Sequence, residues 1–198
     1  MPGDTAVAPP KSVGVVNIAN ALTVLRLALV PVFLVLLFLS VEHGAVLRAA
    51  AFATFVIASV TDRIDGELAR RRGLVTNFGK IADPIADKAL IGGALVSLSV
   101  LGELPWWITA VILARELGVT ALRMVVLRRE VIPASRGGKV KTVLQVVAVA
   151  AYVFPLIEPF TLVRLPIMVF AVIVTVVTGV DYCVQAWRLW RRPAQENQ

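Results

Sequence analysis

Between Thr61 and Asp87 the chain reads TDRIDGELARRRGLVTNFGKIADPIAD, with four aspartates, Asp62, Asp65, Asp83 and Asp87, flanking a short basic stretch. Asp62 and Asp65 close one apolar run, and Asp83 and Asp87 open the next. Carboxylates at membrane depth are expensive and face a partner or a water-filled cavity, so this cluster is where chemistry is expected. The plain alternative is a solvated loop in which the acids pair with Arg70–Arg72. The spacing argues against it. At about 100° per residue, Asp62, Asp65, Gly66 and Ala69 share one helix face, and Gly79, Asp83 and Asp87 form an i, i+4, i+8 stripe on another. Pro84 suits the first turn of that second helix. The short connection Arg71–Phe78 makes the two helices antiparallel neighbours. Four converging carboxylates repel unless a cation holds them, and hard oxygen donors select Mg²⁺, Mn²⁺ or Ca²⁺. With no His or Cys nearby, zinc is not expected.

Small residues accompany the acids. Gly66, Ala69 and Gly79 leave backbone open beside the carboxylates, where a bulky phosphorylated ligand can approach; Gly66 and Ala69 alone read equally well as tight helix packing. Arg70 is placed to meet a phosphate, either of a ligand or of a lipid headgroup. Neither GxGxxG nor GxxxxGK[ST] occurs, so no Rossmann or P-loop nucleotide site is indicated.

The elements that carry these residues belong to a membrane protein. The 198 residues are 58% hydrophobic with a mean hydropathy of +0.83, outside the range of soluble domains. The net charge of +7 is not spread as a nucleic-acid surface. Basic residues cluster at Arg70–Arg72 with Lys80, at Arg123–Lys141 and at Arg188–Arg192, and the alternate connections carry only Arg48 or Arg164. That is the positive-inside pattern, and a basic cytoplasmic face also attracts anionic lipid. No nucleic-acid partner is expected. Cys183 is the single cysteine, which rules out an intrachain disulfide and reads as a small packing residue. MPGDTAVAPPKS lacks a basic region leading into a cleavable apolar segment, so residues 1–12 read as a disordered lead and not a signal peptide.

Six uncharged runs follow: Leu27–Val41, Ala49–Thr61, Ala89–Gly102, Leu104–Ala114, Thr142–Ile157 and Leu165–Val180. None reaches the roughly 20 residues needed to cross a hydrocarbon core of about 30 Å. Extending each helix past its charged residues gives spans at 19–41, 45–71, 80–102, 105–130, 139–157 and 162–190. The fold class expected is therefore an all-α membrane protein, a six-transmembrane-helix bundle with a polar cavity open to the cytoplasmic side. Arg26, the aspartates, Lys88, Arg115, Glu116 and Arg123 all fall inside helices and must face that cavity. Val13–Asn20 is mildly amphipathic and reads as a short interfacial helix ahead of the first span. Pro31 is expected to kink the first span, and Trp106, Trp107, Trp187 and Trp190 to mark the two interfaces. Residues 13–190 read as one domain and 191–198 as a tail. An even number of spans puts both termini on one face, and the basic loops make that face the expected cytoplasmic one.

The pattern D-x2-D-G-x2-A-R-x8-G-x3-D-x3-D is complete as Asp62, Asp65, Gly66, Ala69, Arg70, Gly79, Asp83 and Asp87. It resembles the signature of the CDP-alcohol phosphotransferase family, integral membrane enzymes of phospholipid synthesis, and the six-span reading extends the likeness over nearly the whole chain. The resemblance implies that Asp62, Asp65 and Asp83 hold one or two divalent ions, Mg²⁺ or Mn²⁺. It also implies that Asp87 completes the metal site and acts as the general base, and that Gly66, Ala69, Arg70 and Gly79 contact the CDP moiety. The residues suit that chemistry independently: attack on a pyrophosphate needs charge neutralisation and a carboxylate within reach of the attacking hydroxyl.

The acceptor is addressed by a second set of cations. Arg115 and Arg123, in ARELGVTALR, lie about 80° apart on a helix, and Lys139 and Lys141 open the next span in GKVKTVLQ. Four cations near a metal site imply a charged acceptor, a phosphate above all; as a bland alternative they are positive-inside residues. Together with NIANALTVLR, these segments resemble the branch of the family whose acceptor is sn-glycerol 3-phosphate and whose donor is CDP-diacylglycerol. In that case Arg115, Arg123, Lys139 and Lys141 bind the acceptor phosphate, and Asn20, Thr23 and Arg26 line the nucleotide side. Ala19 departs from the proline common in that branch. The resemblance further implies a homodimer in a bacterial inner membrane. The alternatives are a same-family enzyme that uses phosphatidylglycerol as acceptor, forming cardiolipin, and a cation or organic-anion transporter. A transporter more often places its acids at the midplane between broken half-helices. Here they sit at one face.

Overall fold

A backbone that crosses lipid must satisfy its own hydrogen bonds, and the described residues do so with helices. The computed structural model describes residues 18–72, 77–126, 136–155 and 161–190, with backbone alone at 18–19, 63–72, 77–81, 123–126, 136–139 and 189–190. These residues form six helices and no strand: α1 (Ile18–His43), α2 (Ala45–Arg72), α3 (Asn77–Val100), α4 (Trp106–Val126), α5 (Arg136–Val153) and α6 (Thr161–Trp190). Three stretches are long and apolar enough to span a bilayer on their own, Asn20–His43, Ala45–Asp62 and Thr161–Arg188. The other helices are interrupted by ionisable residues. At 1.5 Å per residue α3 and α4 still measure about 36 and 32 Å, enough for a core of about 30 Å.

A single residue separates α1 from α2. Gly44 adopts φ +79°, a left-handed conformation that glycine enters without strain. Its N–H donates to the Ser40 carbonyl at 3.0 Å and closes α1, while its carbonyl accepts from Arg48 N at 3.3 Å. The result is a tight antiparallel hairpin. Gly102, at φ +73°, ends α3 in a Schellman motif: its N–H donates to Ser99 at 3.1 Å, and the Glu103 N–H reaches Leu98 at 2.9 Å. Both glycines fall in connections where turn residues interrupt the apolar runs.

The core lies along the α1–α2–α3 seam and continues onto α4, α5 and α6. Phe33 and Phe55 pack with ring centroids 5.4 Å apart, and Leu37, Leu95, Leu98, Ile108, Val149 and Met168 are fully or almost fully buried around them. Val24, Val35, Ile57, Val177 and other large apolar side chains point outward, as a lipid-facing surface requires. Trp106 and Trp107 at one end and Trp187 at the other are exposed, at the ends where interface residues are expected.

Three expectations change. Asn77 starts α3 earlier than the apolar pattern suggests, so Pro84 lies inside the helix and not in its first turn. It lacks an N–H for the ladder there. Cys183 is exposed on α6 and is not a packing residue; its place in an apolar run does not say which side of the helix is inward. Ile18–Asn20 begin α1 itself. The rest of the expected interfacial segment, with the lead 1–12 and the tail 191–198, lies outside the described residues. Helix α1 runs unbroken through Pro31.

Candidate active site

Asn20, Thr23 and Arg26 recur every three residues, one side of a helix, and all three are buried. That side of α1 meets the aspartates. Thr23 Oγ1 donates to Asp83 Oδ1 on α3 at 2.7 Å. The Arg26 guanidinium, wholly buried, forms an ion pair with Asp62 on α2. Because Asp83 and Asp87 are one turn apart, holding Asp83 also orients Asp87. Arg26, Ser59, Asp62, Asp87 and Thr142 line one narrow cleft whose apolar wall includes Leu90 and Val146.

Ser59 is a member of this cleft that sequence reading missed. Thr54 and Thr61 on the same helix donate to the carbonyls of Ala50 and Ile57, the usual outlet for a hydroxyl inside a helix. Ser59 Oγ is buried and has no hydrogen-bond partner among the described residues. Its only signal in the sequence is its place one turn before Asp62.

The second constellation lies where α4, α5 and α6 meet. Glu116 Oε1 takes the Lys141 ammonium as an ion pair, with Arg115 Nη1 at 3.3 Å and Gln145 Nε2 at 3.4 Å. Gln145 also donates to Thr175 Oγ1 on α6 at 3.0 Å, and Arg115 Nη2 to Thr178 Oγ1 at 3.2 Å. Gly179 makes room for this: a Cβ there would stand 2.9 Å from Arg115 Cγ. Lys141 is only 6% exposed, which a charged lysine sustains only when paired. Glu116, Gln145, Thr175 and Thr178 were not foreseen as site residues; only Glu116 carried a hint, as a charge inside an apolar span. Helix α5 joins the two constellations, because Lys141 turns to Glu116 while the adjacent Thr142 faces the aspartate cleft.

The remaining candidates are located by backbone alone. Asp65, Gly66, Ala69 and Arg70 are in the last turns of α2, Gly79 in the first turn of α3, Arg123 near the end of α4 and Lys139 in the first turn of α5. Their side chains lie outside the described residues. Among the described residues no three His, Cys, Asp or Glu side chains come close enough to hold a metal ion. The donors facing the cleft are nonetheless carboxylate and hydroxyl oxygens, without sulfur or imidazole, and that chemistry fits Mg²⁺ or Mn²⁺.

The sequence model of the family described as CDP-alcohol phosphatidyltransferase matches residues 16–177. The chain belongs to that family. Over 174 residues it is 54% identical to a probable phosphatidylglycerophosphate synthase of Mycobacterium tuberculosis (strain H37Rv), a match covering 88% of this chain and 83% of that protein. Over 185 residues it is 39% identical to the CDP-diacylglycerol–glycerol-3-phosphate 3-phosphatidyltransferase of Bacillus subtilis (strain 168), covering 86% and 95%. The Escherichia coli (strain K12) protein of the same description is 41% identical over 140 residues, 68% of this chain and 75% of that one.

Proposed function

We propose that this chain transfers the phosphatidyl group of CDP-diacylglycerol to sn-glycerol 3-phosphate, giving phosphatidylglycerol phosphate and CMP. The family membership and the phosphatidyltransferase activity for which its relatives are named support the reaction. The observation that carries the choice of acceptor is the convergence of two cations, the half-buried Arg115 and the buried Lys141, on one anionic oxygen beside the aspartate cleft. A site that already binds a carboxylate with two cations and an amide is built for an anion.

In this reading the acceptor hydroxyl attacks the phosphorus next to diacylglycerol. Asp87 takes the hydroxyl proton, the new oxygen–phosphorus bond forms, and the bond to CMP breaks. Asn20, Thr23, Arg26, Gly66, Ala69, Arg70 and Gly79 bind and orient the CDP moiety. Arg115, Arg123, Lys139 and Lys141 hold the acceptor phosphate, for which Glu116 stands in when no acceptor is bound. Asp62, Asp65, Asp83 and Asp87 would hold one or two divalent ions, Mg²⁺ or Mn²⁺, whose chemistry is charge neutralisation of the pyrophosphate. The Arg26 and Thr23 contacts keep Asp62 and Asp83 from repelling each other in the meantime.

All six helices cross the membrane in this reading, with the cleft open to the cytoplasm, both termini on that side of a bacterial inner membrane, and the chain paired as a homodimer. Lipid tails stay in the bilayer while the headgroup enters the cleft. The test is to incubate purified protein with CDP-diacylglycerol, Mg²⁺ and candidate acceptors and to identify the lipid formed. Phosphatidylglycerol phosphate and CMP are expected from glycerol 3-phosphate; cardiolipin from phosphatidylglycerol, with no reaction of glycerol 3-phosphate, overturns the reading.

A further inference from the structure

At the end of the bundle away from the aspartates, the connections meet around Glu103. Arg48 precedes Asp62 by fourteen residues on α2, about 21 Å of helix. Its guanidinium donates to both Glu103 oxygens, at 2.8 and 2.5 Å, and to the Tyr152 and Val153 carbonyls at 2.8 and 3.0 Å. Those carbonyls end α5, so Arg48 also caps that helix. Arg164, near the start of α6, comes no closer to Glu103 than 4.0 Å, beyond hydrogen-bond distance. It lies over the Tyr152 ring, 5.1 Å from the centroid, with its side chain 31% exposed. Among the described residues two arginines therefore share one carboxylate, which leaves a surplus positive charge on the second.

Beside Arg164 a groove of about 350 Å³ opens between α2, α5 and α6. Its walls are hydrocarbon, with Phe52 and Phe154 in edge contact at 4.9 Å and Ala151, Val163 and Ile167 completing them. Among the described residues that line the groove, Arg164 is the one charged side chain. An apolar trough with a single guanidinium at its rim matches an acyl chain joined to a phosphate. We infer that this groove is a binding site for one anionic phospholipid, separate from the transfer site. The acyl chain lies along Phe52, Phe154 and Ile167, and the lipid phosphate meets the fork of N–H donors on Arg164. A zwitterionic lipid carries its own cation and leaves the surplus charge in place, so the site selects a net negative headgroup. The bound lipid links α2 to the α5–α6 end of the bundle.

The inference does not depend on which reaction the aspartates perform. It is tested by native mass spectrometry of detergent-purified protein equilibrated with equal amounts of phosphatidylglycerol and phosphatidylcholine of matched chains. Arg164→Gln removes the charge, and Ala151→Trp fills the groove. The site predicts that each variant retains one phosphatidylglycerol per protomer fewer than the wild type, with lipid bound elsewhere unchanged. Equal counts in all three proteins overturn the site. Loss in Ala151→Trp alone overturns the headgroup assignment, and loss in Arg164→Gln alone overturns the place of the chain in the groove.

Discussion

Thr23 on α1 donates its hydroxyl to Asp83 on α3, Oγ1 to Oδ1 at 2.7 Å, across sixty residues of sequence. Thr23 is buried, so the hydroxyl has few other outlets. A hydrogen bond to a charged group contributes roughly 1.5–3 kcal/mol. Thr23→Val keeps the shape and deletes the donor. It should lower the melting temperature of the purified protein and slow CMP release, and unchanged values of both would show that the contact is incidental.

Asp87 shares the cleft with Arg26 and Asp62. Asp87→Asn keeps its size and hydrogen-bonding capacity but removes the base. CMP release from CDP-diacylglycerol should fall by about 10²–10⁴-fold, the usual contribution of a positioned base, with thermal unfolding unaltered. Turnover close to that of the wild type would remove Asp87 from the reaction.

Lys139→Ala combined with Lys141→Ala separates donor from acceptor. Each charge-assisted hydrogen bond contributes roughly 1.5–3 kcal/mol, so the KM for glycerol 3-phosphate should rise about tenfold or more. The KM for CDP-diacylglycerol should stay close to that of the wild type. Equal increases for both substrates would assign the lysines to the basic membrane face instead.

Gly179→Ala probes Arg115 without touching it. The new Cβ would stand 2.9 Å from Arg115 Cγ and 3.3 Å from Nε, near the root of the side chain, so the whole chain must swing. The bond to Thr178 is then strained, and overpacking of this kind typically costs about 1–3 kcal/mol. A lower melting temperature and a higher KM for glycerol 3-phosphate are expected. A stability loss with acceptor kinetics intact would confine Arg115 to a packing role.

The helices and the aspartates were legible in the sequence, and the partners of the aspartates were not. Charge patterning placed the ends of α2, α4 and α6 within a few residues, because ionisable side chains and turn glycines are strong punctuation in an apolar chain. Asp62, Asp83 and Asp87 stood out because carboxylates next to apolar spans demand a reason. Their contacts with Thr23 and Arg26 depend on which side of α1 faces α2 and α3, and an almost uniformly apolar helix carries little periodic signal. The Glu116–Lys141 pair, the Arg48–Glu103 clamp and the outward face of Cys183 were hidden as well, because they depend on which elements meet in the fold. Pro84 misled for a different reason. Proline is common in a first turn, yet α3 begins seven residues before it.

The tight turn at Gly44 sets a measure for the rest of the molecule. Arg26 precedes that residue by eighteen positions and Asp62 follows it by eighteen, so the ion pair sits at equal arc along both arms of one hairpin. At 1.5 Å per residue each arm is about 27 Å long. Removing or adding one residue in either arm would shift one partner by about 1.5 Å and turn it by about 100°, with nothing in the single-residue bend to absorb the change. Chain length between Arg26 and Asp62 is thus a quantity the protein must conserve, as rigidly as the identity of the two residues.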